Sequence, residues 1–162
     1  MRTPSVLLSA LFCALLANLA ATPPAHAQTT VKDAWVRGTV AQQKATGLFA
    51  QLTSASGGKL VSASSPVAGV VEIHEMTMAG DTMKMRAIPS LDLPAGKAVE
   101  LKPGGYHVML LDLKQQLKAG ETVTVMLVIE GAGGKRETVE VKAPVRPLAS
   151  GASDHSGHEH KH

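Results

Sequence analysis

Four side chains within 36 positions carry the chemistry of this chain: His74, Met85, His107 and Met109, separated by ten, twenty-one and one intervening residues. Two imidazoles and two thioethers form a donor set for a soft cation. Uncharged thioether sulfur suits copper(I) far better than it suits zinc, calcium or magnesium, and imidazole adds affinity without adding negative charge. A Met ligand needs no deprotonation and cannot be lost to a disulfide. A Cys ligand in an oxidising compartment is exposed to both hazards.

Concentration strengthens that reading. Five of the six Met residues beyond position 27, Met76, Met78, Met83, Met85 and Met109, fall between 76 and 109, beside His74 and His107. A lone Met in a β protein usually fills core space, and Met126, inside the run Val123 to Ile129, is read that way. Met76, Met78 and Met83 are weaker candidates, each as well suited to shielding a metal site or docking a partner as to ligating.

The elements that must position these residues are strands. From Val31 to Ala143 short β-branched runs are punctuated by Gly, Pro, Asp and Ser, which predicts strands near 31 to 37, 46 to 53, 58 to 65, 69 to 76, 83 to 88, 97 to 101, 106 to 113, 121 to 130 and 135 to 142. Turn signals such as Ala79-Gly80-Asp81 and Pro103-Gly104-Gly105 separate them. The fold class expected is all-β, a single Greek-key β-sandwich or barrel domain of cupredoxin-like shape with scarce helix. Side chains alternate faces along a strand, so His107 and Met109 project together, opposite Tyr106, Val108 and Leu110. Glu72, His74 and Met76 likewise share a face. His74 and Met85 flank the segment from Thr77 to Thr82, and a hairpin there would gather ligands from three strands at one end of the sandwich.

Met1 and Arg2, the apolar stretch from Val6 to Ala21 and the Ala25-His26-Ala27 triplet read as a secretory signal over 1–27, cleaved before Gln28. The apolar stretch is shorter than the roughly 20 residues a bilayer span requires. The expected organisation is 1–27 signal peptide, 28–147 β-sandwich domain and 148–162 disordered tail, with a periplasmic location and no membrane anchor. Cys13, the only cysteine, lies within the signal, and the residues before it form no convincing lipidation box. A mature chain without cysteine excludes blue-copper electron transfer, which needs a thiolate. Removing residues 1–27 leaves 15 basic against 13 acidic side chains, a net charge of +2. Scattered basic residues and three aromatics, Trp35, Phe49 and Tyr106, give no nucleic-acid footprint.

The H-x10-M-x21-H-x-M spacing, set in VEIHEMTMAGDTMKM and GGYHVMLLDL, resembles the periplasmic copper chaperone family of the PCuAC type from about Asp33 to Pro144. That resemblance implies a cupredoxin-like sandwich binding one copper(I) through His74, Met85, His107 and Met109. It also implies supply of copper to the binuclear copper centre of cytochrome c oxidase, through its copper-bearing subunit, a thiol-disulfide copper-handling partner, or both. The implied protein is a monomeric carrier and not an enzyme.

After Pro147 the composition turns small and polar and ends in SDHSGHEHKH. With nothing apolar to bury, this tail is expected to be disordered without a ligand. His155, His158, His160 and His162, with Asp154 and Glu159, suit copper(II), and zinc or nickel less selectively. Two other functions compete with the carrier. One is a periplasmic copper buffer or tolerance protein without a delivery target. The other is an oxidative enzyme built on His26, if cleavage fell after Ala25 and made that residue the N-terminus. Asp92 and Asp112 are isolated carboxylates, and no nucleophile set, P-loop or dinucleotide fingerprint is present.

Overall fold

Alternation of apolar and polar side chains builds the framework. In the segment from Thr122 to Glu130, Val123, Val125, Leu127 and Ile129 are buried, while Thr124, Met126 and Val128 between them face the other way. The structure, a computed structural model describing residues 28–148, contains ten strands in that range. They are β1 Thr29–Arg37, β2 Ala45–Ser54, β3 Gly58–Ser64, β4 Ala68–Ala79, β5 Thr82–Ile88, β6 Leu91–Leu93, β7 Ala98–Leu101, β8 His107–Leu113, β9 Thr122–Glu130 and β10 Arg136–Arg146. The only helix among the described residues is a 3-10 turn over Ala132–Gly134, so none is long and apolar enough to cross a membrane.

The strands follow one hydrogen-bonded path, β5-β4-β8-β2-β1-β10-β9-β3-β6, with β7 pairing β2 beyond β8. All the pairings between named strands are antiparallel except a short parallel contact of β1 with β10, through Val36 and Val145 and through Arg37 and Arg146. There the path turns from one layer of the sandwich to the other. One core joins both layers: Leu48, Leu52, Val108 and Leu110 meet Leu60, Val125, Leu127 and Ile129. Neighbours distant in sequence, β2 beside β8 and β3 beside β9, are what a Greek-key sandwich requires.

Three sequence readings are corrected. The short β6 is a tenth strand, with Leu91 and Leu93 buried, and three residues are too few to show a period of two. Met126 does not fill the core, because it has the outward parity of β9, opposite Ser64 and Glu140. Tyr106, expected to open the strand near 106 to 113, lies just before β8, joined to Leu101 by an isolated bridge and 38% exposed.

Candidate metal site

Cross-strand register assembles the site. His74 stands directly opposite His107 across the β4–β8 pair, and Glu72 stands opposite Met109. Across the β4–β5 hairpin, Met76 faces Met85 and His74 faces Ala87. Directly opposed side chains in an antiparallel pair project on the same face. Thus His74, Met76, Met85, His107 and Met109 all share one face. The opposite face of these strands carries Ile73, Val108 and Leu110 into the core. The cluster therefore sits on the outer face of the sheet, where the β4–β5 hairpin runs past the start of β8.

Both imidazoles are nonetheless buried, at 8% exposure for His74 and 6% for His107, whereas Met85 is 48% exposed. The Nδ1 of His107 lies 3.0 Å from the carbonyl oxygen of Gly105. A carbonyl only accepts, so Nδ1–H donates and Nε2 is left with its lone pair. That Nε2 lies 3.1 Å from the Met85 Sδ. Two lone-pair donors confronting each other without a proton between them form a ligand pair suited to a cation. His74 donates from Nε2 to the Glu72 carboxylate at 2.7 Å, and its buried Nδ1 has no partner among the described residues. Leaving such an acceptor unsatisfied costs about 1–3 kcal/mol, a cost that a bound cation would relieve. The two rings are 5.7 Å apart between centroids.

A cavity of about 250 Å³ opens beside this cluster, lined by Met76, Met85, His107 and Met109 together with Arg37, Phe49 and the Pro103–Gly104 turn. His74 lies outside that lining. Gly47, opposite Met109, also borders it, and a Cβ there would come within 2.8 Å of the Phe49 ring. The Phe49 ring is 6.3 Å from His107 and is stacked on Trp35 at 4.5 Å, with the Arg37 guanidinium 5.4 Å above it. No group of three His, Cys, Asp or Glu side chains able to hold a metal occurs among the described residues. The thioethers of Met76, Met85 and Met109 supply the further soft donors beside His107.

Burial holds the His107 imidazole below the usual histidine value of 6.5, opposed by the hydrogen bond to Gly105 and reinforced by the charges of His74 and Arg37. The sign follows from a base lowered in the folded state. As pH falls below 6.5, the unfolded chain takes up this proton first, so the fold loses stability until His107 itself is protonated. In the metal-free protein the His107 ring resonances are expected to titrate with a midpoint below 6.5 by NMR, and a midpoint at or above that value would contradict the assignment.

Met78 and Met83 form the exposed tip of the hairpin, 63% and 46% exposed. Sequence reasoning left Met76 undecided, and the register places it against Met85. Arg37, Gly47 and Phe49 were not foreseen at the site. One signal was available: Phe49 alternates with the core residues Leu48 and Ala50, which puts an aromatic ring on the outer face. Asp92 pairs with Lys59 at the surface, 3.6 Å away, and Asp112 is exposed in β8 at a positive φ of 50°. Residues 149–162, with His155, His158, His160 and His162, and residues 1–27 lie outside the described part.

Comparison with known proteins gives a consistent result. The family model LpqE-like, described as "Putative lipoprotein LpqE-like", matches residues 29–145. The chain is 30% identical over 145 residues to "Putative lipoprotein Lxx21020" of Leifsonia xyli subsp. xyli (strain CTCB07), covering 83% of this chain and 84% of that one. Among solved structures, it resembles the apo PCuAC domain from PmoF1 with a TM-score of 0.61 and 25% identity over 75% of this chain and 96% of that chain. It also resembles DR1885 of Deinococcus radiodurans. The apo form gives a TM-score of 0.55 at 30% identity over 92% and 94% of the two chains. The CuI form gives 0.54 at 32% identity over 78% and 81%.

Proposed function

Because this chain belongs to the LpqE-like family, we propose that it is an exported carrier of copper(I), which it holds through His74, Met85, His107 and Met109. The observation that carries this reading is the approach of the unprotonated His107 Nε2 to the Met85 sulfur at 3.1 Å. The CuI form of DR1885, similar along 78% of this chain, supports the choice of metal and oxidation state. Soft thioethers favour the cuprous ion, and neutral donors leave the bound ion exchangeable. The buried imidazoles fix the site while the half-exposed Met85 faces outward. That combination favours a carrier that releases its cargo over a buffer that retains it.

In this account the protein works in the periplasm, with its mature chain beginning at Gln28. It delivers copper(I) to the binuclear copper centre of cytochrome c oxidase, directly to the copper-bearing subunit or through a thiol-disulfide copper-handling partner. It acts as a monomer without catalysis. The lipoprotein description of the family raises a membrane anchor on Cys13, but Ala10-Leu11-Phe12 makes a poor lipidation box. Mass spectrometry of the protein recovered from the exporting cell is expected to find Gln28 at the N-terminus. A diacylglyceryl group on Cys13 would contradict this, and a start at His26 would revive the oxidative alternative.

The His-rich tail, His155, His158, His160 and His162, captures copper(II) in this account, and the thioether site takes the ion after reduction. Truncation after Ser150 is expected to remove copper(II) binding while leaving copper(I) stoichiometry at the core unchanged. Isothermal titration with each ion checks it, and unaltered copper(II) binding would end the division of labour. Transfer to an isolated oxidase copper domain, followed by its visible spectrum, separates carrier from buffer.

A further inference from the structure

We infer that the cavity beside the copper ligands is the entry for an anionic sulfur ligand, a thiolate of the copper acceptor, and that Arg37 is the positioning residue that stabilises its charge. The inference rests on the copper(I)-carrier reading of the same site. It adds to that reading the chemical class of the incoming ligand and a residue remote in sequence from the four ligands.

Three observations converge. The cavity is about 250 Å³, far more than one ion fills, given that a liquid water occupies about 30 Å³. Met85, His107 and Met109 border it directly, so a ligand entering there meets the metal and not merely the protein surface. Arg37 also borders it, half-buried and stacked over Phe49 at 5.4 Å, and forms no ion pair among the described residues.

The Phe49 ring holds this cation in place, and a fixed cation next to a cation site opposes metal binding unless an anion joins the pair. Copper(I) selects the class of that anion. A carboxylate is a hard donor, whereas a thiolate is both soft and negatively charged. The ligand that yields is Met85. It is 48% exposed and stands on β5, which among the described residues is the end of the strand path and pairs only with β4. The acceptor thiol loses its proton to solvent as it becomes the thiolate. A new S–Cu bond then forms from the cavity side as the Met85 Sδ–Cu bond breaks. Copper stays copper(I), and no electron is transferred.

The test loads the full mature chain and its R37Q and R37K variants with copper(I), first confirming one-to-one binding against a chromophoric chelator. Release is then timed to three acceptors: 2-mercaptoethanol, a capped peptide with two cysteines and no acidic residues, and neutral neocuproine. R37Q is expected to slow transfer to thiolates about tenfold, in proportion to one lost attraction at the site, with R37K close to the parent. Neocuproine should extract copper at the same rate from all three proteins. An Arg37 effect in both thiol arms assigns recognition to the thiolate alone, and an effect confined to the peptide assigns it to a protein-borne thiolate. Equal slowing toward neocuproine, or no slowing toward either thiol, overturns the inference. Failure of the parent to bind copper(I) one-to-one would instead overturn the carrier reading before any rate is measured.

Discussion

Replacing His107 with Ala is expected to weaken copper(I) binding at the core by at least about a hundredfold, since changes to residues that merely orient a ligand already cost 10–100-fold. His107 is the best-prepared ligand of the set. Its ring is buried and anchored by Nδ1 to Gly105, and its Nε2 confronts the Met85 sulfur. Removing it also exposes the space between His74 and Phe49, whose rings stand 5.7 and 6.3 Å from it. Competition with a chromophoric copper(I) chelator reads the change. A loss below about fivefold would mean that His107 packs the cavity wall and does not ligate.

Leu110→Ala should produce the second large effect, on folding. Leu110 is fully buried and lies on the core side of β8, next to Met109, where it helps fix the strand that carries both His107 and Met109. Truncating a buried leucine costs about 2–5 kcal/mol through lost transfer energy and the cavity left behind. Denaturant unfolding of the metal-free protein should show that drop as an earlier midpoint with an unchanged slope. Copper(I) at a hundred times its dissociation constant should restore about 2.7 kcal/mol, because only the folded state assembles the four donors. A cost under about 1 kcal/mol would show that the two layers pack more loosely at Leu110 than its burial implies.

The strand framework and the face shared by His107 and Met109 were legible because period-two alternation is local. Val123, Val125, Leu127 and Ile129 announce their strand and its buried side without any knowledge of neighbours. The hairpin that brings Met85 onto the face of His74 was legible for the same reason, since β4 and β5 are consecutive, although the register sets Met85 opposite Met76 and His74 opposite Ala87. What stayed hidden depends on which strands become neighbours. Gly47 and Phe49 reach the site because β2 pairs β8, and Arg37 because β1 pairs β2, and neither partnership leaves a trace in residue spacing. The outer-face position of the cluster follows from that same neighbourhood. Met126 misled because an apolar residue inside an apolar run reads as core, while the strand's parity turned it outward.

The most direct test of the central claim is copper(I) titration of the mature protein against a competing chromophoric chelator. It is run beside a Met85→Ala/Met109→Ala variant and a form truncated after Ser150. The account predicts tight one-to-one binding that survives truncation and collapses in the double variant. Binding that survived the loss of both thioethers and vanished with the tail would contradict it, leaving a histidine-tail scavenger on an inert sandwich.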